Sequence, residues 1–186
     1  MPYFFHKMRI WDLTASTRVD RFIANSEHVA ARIAKYYRRS STVICPGIDE
    51  KFYTLGDESQ RGDFYLAVGR MIPYKRFDLL VAAFNQNGLP LVIVTSTRTR
   101  LTRELMAISR PNITWCLDIS HEEKLSYMQR ARAFMFPQEE DFGMVPIEAM
   151  LCGTPVITFA RGGALETVTD KVSGVFFDEQ TAESIA

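Results

Sequence analysis

The sequence predicts a doubly wound α/β fold built on a parallel sheet. Three observations carry that reading. Short runs rich in Val, Ile and Phe alternate with stretches whose apolar residues recur at helical spacing. The runs are apolar throughout, the pattern of strands covered on both faces. Glycines, prolines and capping residues punctuate the joins. Strand–helix alternation of this kind argues for α/β architecture. In such folds ligands sit beyond the carboxyl ends of the strands.

The elements follow in order. Residues 21–26 (RFIANS) read as a strand. Ser26 is placed to cap a helix over Glu27–Tyr37, with Val29, Ile33 and Tyr36 or Tyr37 on one face. Residues 42–45 (TVIC) form the next strand, stopped by Pro46-Gly47. Residues 49–62 are polar, carry two glycines and read as a linker. A fresh series follows. Residues 64–69 (FYLAVG) are a buried-type strand. Phe77, Leu80, Val81 and Phe84 give a helical stripe that ends at Gly88. Residues 91–96 are a strand, 101–109 a helix and 112–117 a strand. Ser120 and Glu123 have the spacing of a capping box, opening a helix that carries Leu125 and Met128. Residues 133–137 (AFMFP) form a strand, and a helix spans 143–152 with Gly153 as its stop. Strands over 155–159 and 174–178 flank a short helix at 164–168. The loops after Gly69, Ser96, Leu117 and Pro137 are therefore the places to look for chemistry.

Composition narrows the function. The chain has 186 residues, 47% hydrophobic and 24% charged, with 22 Lys plus Arg against 22 Asp plus Glu. A net charge of zero argues against a dedicated nucleic-acid binder, which needs a basic face. Any anion must be held by a few well-placed cations. The three cysteines, Cys45, Cys116 and Cys152, lie among apolar or small residues. No CxxC or Cys/His cluster is present, so a zinc site is not expected. Core thiols in a reducing cytosol fit better. No apolar run is long enough to span a bilayer, and residues 1–13 are too charged for a signal peptide.

Two loops carry residues suited to anion and sugar recognition. The first runs from Gly69 to Arg76 (GRMIPYKR). Neither a dinucleotide fingerprint nor a Walker A pattern is present. The loop instead offers Gly69, where backbone can approach a ligand, and two cations five residues apart. Arg70 has a planar fork that matches phosphate oxygens, and Lys75 is a mobile point charge. An ordinary solvated basic turn is the alternative. The second loop is PQEEDFGMVPIE, residues 137–148. Glu140 falls in the loop and Glu148 on the helix, with seven residues between them. Gly143 and Met144 place free backbone N–H groups at a helix start, suited to an anion. Carboxylates are natural acceptors for sugar hydroxyls. The helix dipole explains Glu139 or Asp141, but not Glu148, which sits among Pro146, Ile147, Ala149 and Met150. Unless a fold-supporting salt bridge or backbone contact serves it, that carboxylate needs a ligand's donors.

Gly-Arg followed by Lys-Arg, then Glu-Asp-Phe-Gly-x4-Glu-Ala-Met, resembles the retaining GT-B glycosyltransferases of group 1, the family 4 type. Gly153-Thr-Pro-Val-Ile and Arg161-Gly-Gly-Ala-Leu-Glu-Thr-Val resemble segments of the same family. The likeness runs from about Arg18 to the last residue. Residues 31–39, the FFDEQT ending and the RGGALETV loop look most like the WbaZ-like mannosyltransferases of polysaccharide and lipopolysaccharide synthesis. The resemblance implies a Rossmann-like, doubly wound GT-B C-terminal domain over residues 63–186, cut short at its C-terminus. Residues 48–62 become a linker, and residues 1–47 the end of the acceptor-binding domain.

The roles it implies are these. Arg70 and Lys75 grip and stabilise the departing diphosphate, and Glu140 faces the donor sugar; these three are the candidate catalytic residues. Glu148 binds the ribose. Phe142, Gly143, Met144 and Val145 offer amides to sugar and phosphate. Leu117, Asp118 and Ile119 hold the base through backbone groups, and Gly69 completes the donor site. The turn Thr95-Ser96-Thr97-Arg98 departs from the glycine-rich turn common in the family and is not expected to contact donor. There is no DxD motif, and fixed cations with helix dipoles can take the leaving-group charge, so no cofactor or metal is expected. The implied reaction transfers a sugar from a nucleotide diphosphate sugar, GDP-mannose or similar, with retention, to a glycan or lipid-linked acceptor. This portion alone is expected to bind donor without transfer. A non-catalytic nucleotide-sugar-binding module and a nucleotide-sugar epimerase are the competing readings. The location expected is cytoplasmic. Peripheral membrane contact through Arg32, Lys35, Arg38 and Arg39 is the alternative to a solvated helix face. His6 and His28 are not expected to be catalytic.

Overall fold

The computed structural model describes residues 2–186, which form two compact units, Met1–Pro46 and Gly47–Ala186.

In the first unit, helix α1 (Pro2–Ser16) precedes strand β1 (Phe22–Ala24), helix α2 (Glu27–Tyr37) and strand β2 (Ser41–Val43). The two strands pair in parallel, as a strand–helix–strand crossover requires. Ser26 Oγ accepts from the Val29 amide and caps α2. The Tyr37 hydroxyl donates to Asp12 at 2.8 Å, tying α2 to α1. Arg39 donates to the Val19 and Asp20 carbonyls and lies over the Phe22 ring. Helix α1 was not expected. Its apolar residues are not gathered into one stripe, and Tyr3, Phe4, Phe5, Met8, Ile10, Trp11 and Leu13 are all exposed.

The second unit is a six-stranded sheet. Its strands are β3 (Tyr65–Val68), β4 (Leu91–Thr95), β5 (Ile113–Leu117), β6 (Ala133–Phe136), β7 (Val156–Phe159) and β8 (Gly174–Phe177). The spatial order is β5-β4-β3-β6-β7-β8, and every pair is parallel. Helices α3 (Phe77–Asn87), α4 (Arg100–Ile108), α5 (His121–Arg130), α6 (Met144–Leu151), α7 (Ala164–Thr167) and α8 (Ala182–Ile185) make the connections and the end. The winding reverses at β3 and β6, which puts helices on both faces of the sheet, and successive strand residues supply a core to each. Ala67, Leu91, Ile93 and Met135 pack with Phe77, Leu80, Val81 and Phe84 of α3, Leu105 of α4 and Ala182 of α8. Leu66, Val92, Val94, Phe134 and Phe136 pack on the other face with Met128 of α5, Ala149 of α6 and Ala164 of α7. Each fully buried Leu or Phe in these layers contributes roughly 1.5–3 kcal/mol.

The punctuation read from the sequence acts as expected. Ser120 and Glu123 exchange hydrogen bonds of 3.1 and 2.9 Å in a capping box. Gly88 caps α3 with φ +72. Thr99 and Thr102 form a second capping box that sequence reading missed, since Thr102 supplies the hydroxyl in place of the usual Glu or Gln.

Residues 48–62 are not a free linker. The Gly56 amide donates to the Cys152 carbonyl at 3.2 Å, and Gln129 donates to the Thr54 carbonyl at 3.0 Å. Arg61 spends its guanidinium on the Ala131 carbonyl (2.8 Å), Thr154 Oγ1 (3.3 Å) and the Gly153 carbonyl (2.8 Å). The segment's acidic residues Asp49, Glu50, Asp57 and Glu58 are exposed, while Thr54, Gly56 and Arg61 tie it to the ends of α5 and α6. Arg61→Ala removes a charged donor from three acceptors. It is expected to cost about 1.5–3 kcal/mol, read as a lower urea midpoint with an unchanged slope.

Candidate functional site

Strands β3 and β6 are neighbours, yet the chain winds outward from them in opposite directions: β3 to β4 to β5, and β6 to β7 to β8. That reversal is a topological switch point, where the loops beyond the two strands part and leave a crevice. Gly69 to Arg76 follow β3, and Pro137 to Gly143 follow β6. The two loops meet through one ion pair. Lys75 Nζ lies 2.7 Å from Glu140 Oε1, with the two side chains 10% and 20% exposed. Gln138, itself buried, donates to the same oxygen at 3.2 Å. A turn of 3-10 helix over Pro73–Lys75 directs the lysine inward. The Lys75 stem passes 3.4 Å from where a Gly69 Cβ would lie, which is ordinary contact.

Beside this pair, beyond the ends of β3, β4 and β5, is a cavity of about 260 Å³. Gly69, Arg70, Thr95, Ser96, Asp118, Ile119, His121 and Lys124 help line it. Arg70 is exposed, and its guanidinium has no side-chain partner among the described residues. Asp118 adopts φ +55 at the end of β5, and Arg98 meets its carboxylate at 2.7 Å.

Helix α6 opens at Gly143, whose φ of +85 favours glycine. No side chain caps this helix, so the first-turn N–H groups at Met144 and Val145 lack intrahelical partners. One turn on, Glu148 Oε2 accepts from Lys124 Nζ at 3.0 Å, with side-chain exposures of 15% and 17%. Lys124 also donates to the Tyr53 hydroxyl at 2.8 Å. Burial alone would pull the Lys124 pKa down; its hydrogen bonds to Tyr53 and Glu148 outweigh that and leave it raised. Burial and the nearby Glu148 charge push the Cys152 thiol up to about 11, so it is an inert core thiol.

The structure therefore divides the expected site. Gly69, Arg70, Asp118 and Ile119 share the cavity wall, while Leu117 sits at the end of β5, outside the lining. Lys75, Glu140, Phe142, Gly143, Met144, Val145 and Glu148 also lie outside that lining. Lys75 does not stand ready beside Arg70 as a second uncommitted cation; it is bound to Glu140. Glu148 is not a lone carboxylate, because Lys124 neutralises it. The loop after β4, set aside on sequence, lines the cavity through Thr95 and Ser96. Sequence reading also missed Lys124, Tyr53 and His121. Lys124 follows Glu122 and Glu123 and has the look of a solvated helix residue.

A six-stranded parallel sheet with its crevice at this switch point is the fold of the C-terminal domain of GT-B glycosyltransferases. Residues 57–186 match the family described as "Glycosyl transferases group 1", and the chain belongs to that family. The D-inositol 3-phosphate glycosyltransferase of Mycolicibacterium smegmatis is 32% identical over 183 residues, covering 86% of this chain and 42% of the relative. The chain thus spans less than half the length of the curated relatives it matches. Sucrose-phosphate synthase from Thermosynechococcus elongatus superposes with a TM-score of 0.85 at 26% identity, over 97% of this chain and 50% of that one. Anabaena HepE, solved in complex with UDP and glucose, shares the fold with a TM-score of 0.83 at 20% identity, over 100% of this chain and 57% of that one. Among the described residues no helix is long and apolar enough to cross a membrane.

The acidic loop depends on Gly162 and Gly163. The Gly163 amide donates to the Glu140 carbonyl at 2.8 Å. A Cβ on Gly163 would collide with Phe142 Cα and lie 2.7 Å from its nitrogen. Backbone cannot yield as a flexible side chain does. Gly163→Ala is expected to displace the Glu140–Phe142 loop, costing about 1–3 kcal/mol of stability. Gly69→Ala, facing only the Lys75 and Phe77 side chains at ordinary contact distance, should cost less by the same denaturation measurement.

Proposed function

We propose that this chain is the donor-binding part of a retaining glycosyltransferase that draws its sugar from a nucleoside diphosphate sugar. The observation that carries the reading is the Arg70 guanidinium, uncommitted on the wall of a cavity at the carboxyl edge of the sheet, in a group 1 chain. A guanidinium grips diphosphate oxygens in pairs. The first-turn amides of α6 are the second anion-directed element. Glu140 faces the donor sugar, and Lys75, held by Glu140, helps stabilise the leaving diphosphate. Glu148 takes the ribose, and the ends of β4 and β5 take the base. No enzymic nucleophile is assigned; the acceptor attacks on the face from which the diphosphate leaves. This portion alone binds donor without transferring it.

The resemblance to mannosyltransferases supports GDP-mannose as donor. UDP-glucose, bound by HepE in one of its crystal structures, is the principal rival. The names of the curated relatives make D-inositol 3-phosphate the first acceptor to try, ahead of glycans and lipid-linked sugars. A thermal-shift screen of GDP-, UDP- and ADP-sugars tests the donor. A ligand at a hundred times its Kd adds about 2.7 kcal/mol, or roughly 5–10 °C for a chain of this size. GDP-mannose should give the largest rise, and no rise with any nucleotide sugar would overturn the reading.

Arg70→Ala should weaken GDP binding at least tenfold, the scale of one charge-assisted bond, and leave guanosine within about twofold by calorimetry. Equal loss for both ligands would take Arg70 out of the diphosphate site. We further propose that binding needs no divalent metal. GDP affinity should then stay within about threefold between EDTA and magnesium, a difference of about 0.7 kcal/mol at most.

A further inference from the structure

Glu148 belongs to the donor site only if its carboxylate is ionised and held still, and the structure shows what could do both. We propose that Lys124 is a positioning residue for donor binding: it fixes the Glu148 carboxylate and leaves Oε1 as the acceptor for a ribose hydroxyl. The inference rests on the donor-site reading of Glu148.

Three features support it. First, Lys124 is the member of the pair that lines the cavity, whereas Glu148 does not. Glu148 approaches the cavity wall through Lys124, so a change at Lys124 changes what Glu148 can meet. Second, Lys124 Nζ holds Oε2 at 3.0 Å. The Tyr53 hydroxyl, which accepts from Lys124, also faces the Glu148 carboxylate; with Oε2 taken by Lys124, Oε1 is the better acceptor for a ribose hydroxyl. Third, Lys124 is itself anchored. The Tyr53 hydroxyl accepts its second N–H at 2.8 Å, and its ammonium lies 5.1 Å from the Tyr53 ring centroid. The third N–H is left for the cavity.

Tyr53 comes from the segment first read as a linker. That segment is pinned by the Gly56–Cys152 hydrogen bond and by Gln129. Its Phe52 ring stands edge-on to His121, another cavity residue, at 6.3 Å. The segment thus braces the cavity wall at two points. Without Lys124, Glu148 would be a buried carboxylate with no cation, and such a group holds a proton to higher pH. A protonated acid is the poorer acceptor for a hydroxyl.

The test compares wild type, Lys124→Met, Lys124→Arg and Glu148→Gln by calorimetry. The probes are GDP, UDP and their 2′,3′-dideoxy forms; GDP and UDP share the ribose, so either one reports. Lys124→Met and Glu148→Gln should each weaken the ribonucleotide about tenfold, the scale of one hydrogen bond to a charged group. Both should leave the dideoxy forms within about twofold, and the double variant should be no worse than either single one. Lys124→Arg should recover most of the loss. The ribo-over-dideoxy affinity ratio of Lys124→Met should also fall from about pH 8 to 5, where that of wild type stays flat; the terminal phosphate, which titrates at about 6 in either probe, cancels in the ratio. The groups facing Glu148 in that range are Lys124, Tyr53 and Cys152, and neither Tyr53 nor Cys152, both raised, titrates there. A ribose-dependent loss in Glu148→Gln without one in Lys124→Met overturns the positioning role and leaves the donor site standing. No ribose-dependent loss in either variant overturns the donor-site reading of Glu148 itself. Equal losses for ribo and dideoxy ligands, with a lower melting temperature, would reduce Lys124 to a structural ion pair.

Discussion

Glu140 and Glu148 are at least four-fifths buried, and each lies within about 3 Å of a lysine Nζ that is buried as deeply. Taking one such charge out of water costs several kcal/mol, and the attraction to its partner repays this only when further hydrogen bonds complete the arrangement. Here they do. Gln138 adds a donor to Glu140, and Tyr53 adds an acceptor to Lys124. Removing either lysine would leave a buried carboxylate with no cation to offset its desolvation. The loops after β3 and β6, the start of α5 and the middle of α6 are placed by these two contacts. Much of the local geometry is arranged to supply them.

The doubly wound topology makes the first contact possible. Lys75 follows β3 and Glu140 follows β6, strands far apart in sequence but adjacent in the sheet. Their loops splay because the chain continues to opposite sides, and the ion pair spans the split. The close approach of Gly162 and Gly163 then sets the height of the acidic loop. The second contact joins α5 to α6 across one face of the sheet. The segment before β3 completes it from outside, which is why residues that look like a connector are packed down on the helices.

The continuous apolar runs and the helical patterns made the sheet and most helices legible, because burial on both faces leaves a strong imprint on Leu66, Ile93 or Phe134. The capping box at Ser120 and Glu123 was legible for the same kind of reason: a local hydrogen bond needs fixed spacing. Helix α1 was not legible, since its aromatic residues are not confined to one face. Strand ends were overextended; residues 21–26 yield only Phe22–Ala24, as edge residues pass into turns without any change of composition. Within the candidate site, Glu148 stood out because a charge amid apolar residues demands explanation. Arg70 and Lys75 stood out because two cations share a loop at the sheet edge, and Glu140 through the family resemblance of its motif. Lys124 did not, because a lysine in a charged helix turn looks solvated until α6 is laid against it. Pairing across 24 residues is invisible to spacing.

The two ion pairs also decide where an anion is drawn. Lys75 with Glu140 and Lys124 with Glu148 sum to zero charge, so neither pair offers much field beyond its own radius. Asp118 is likewise balanced by Arg98. What remains unbalanced near the cavity is the Arg70 guanidinium, supplemented by the uncapped first turn of α6, which carries part of a positive charge. Under the proposed function, a diphosphate entering here would meet that cation first and could use the lysines only by sharing them with their carboxylates. Such sharing becomes favourable as negative charge accumulates on the departing phosphate, since a fuller charge competes better for the same ammonium. On the proposed donor-binding role, a site organised in this way would hold the ground state through Arg70 and keep the contribution of Lys75 for the moment of bond cleavage.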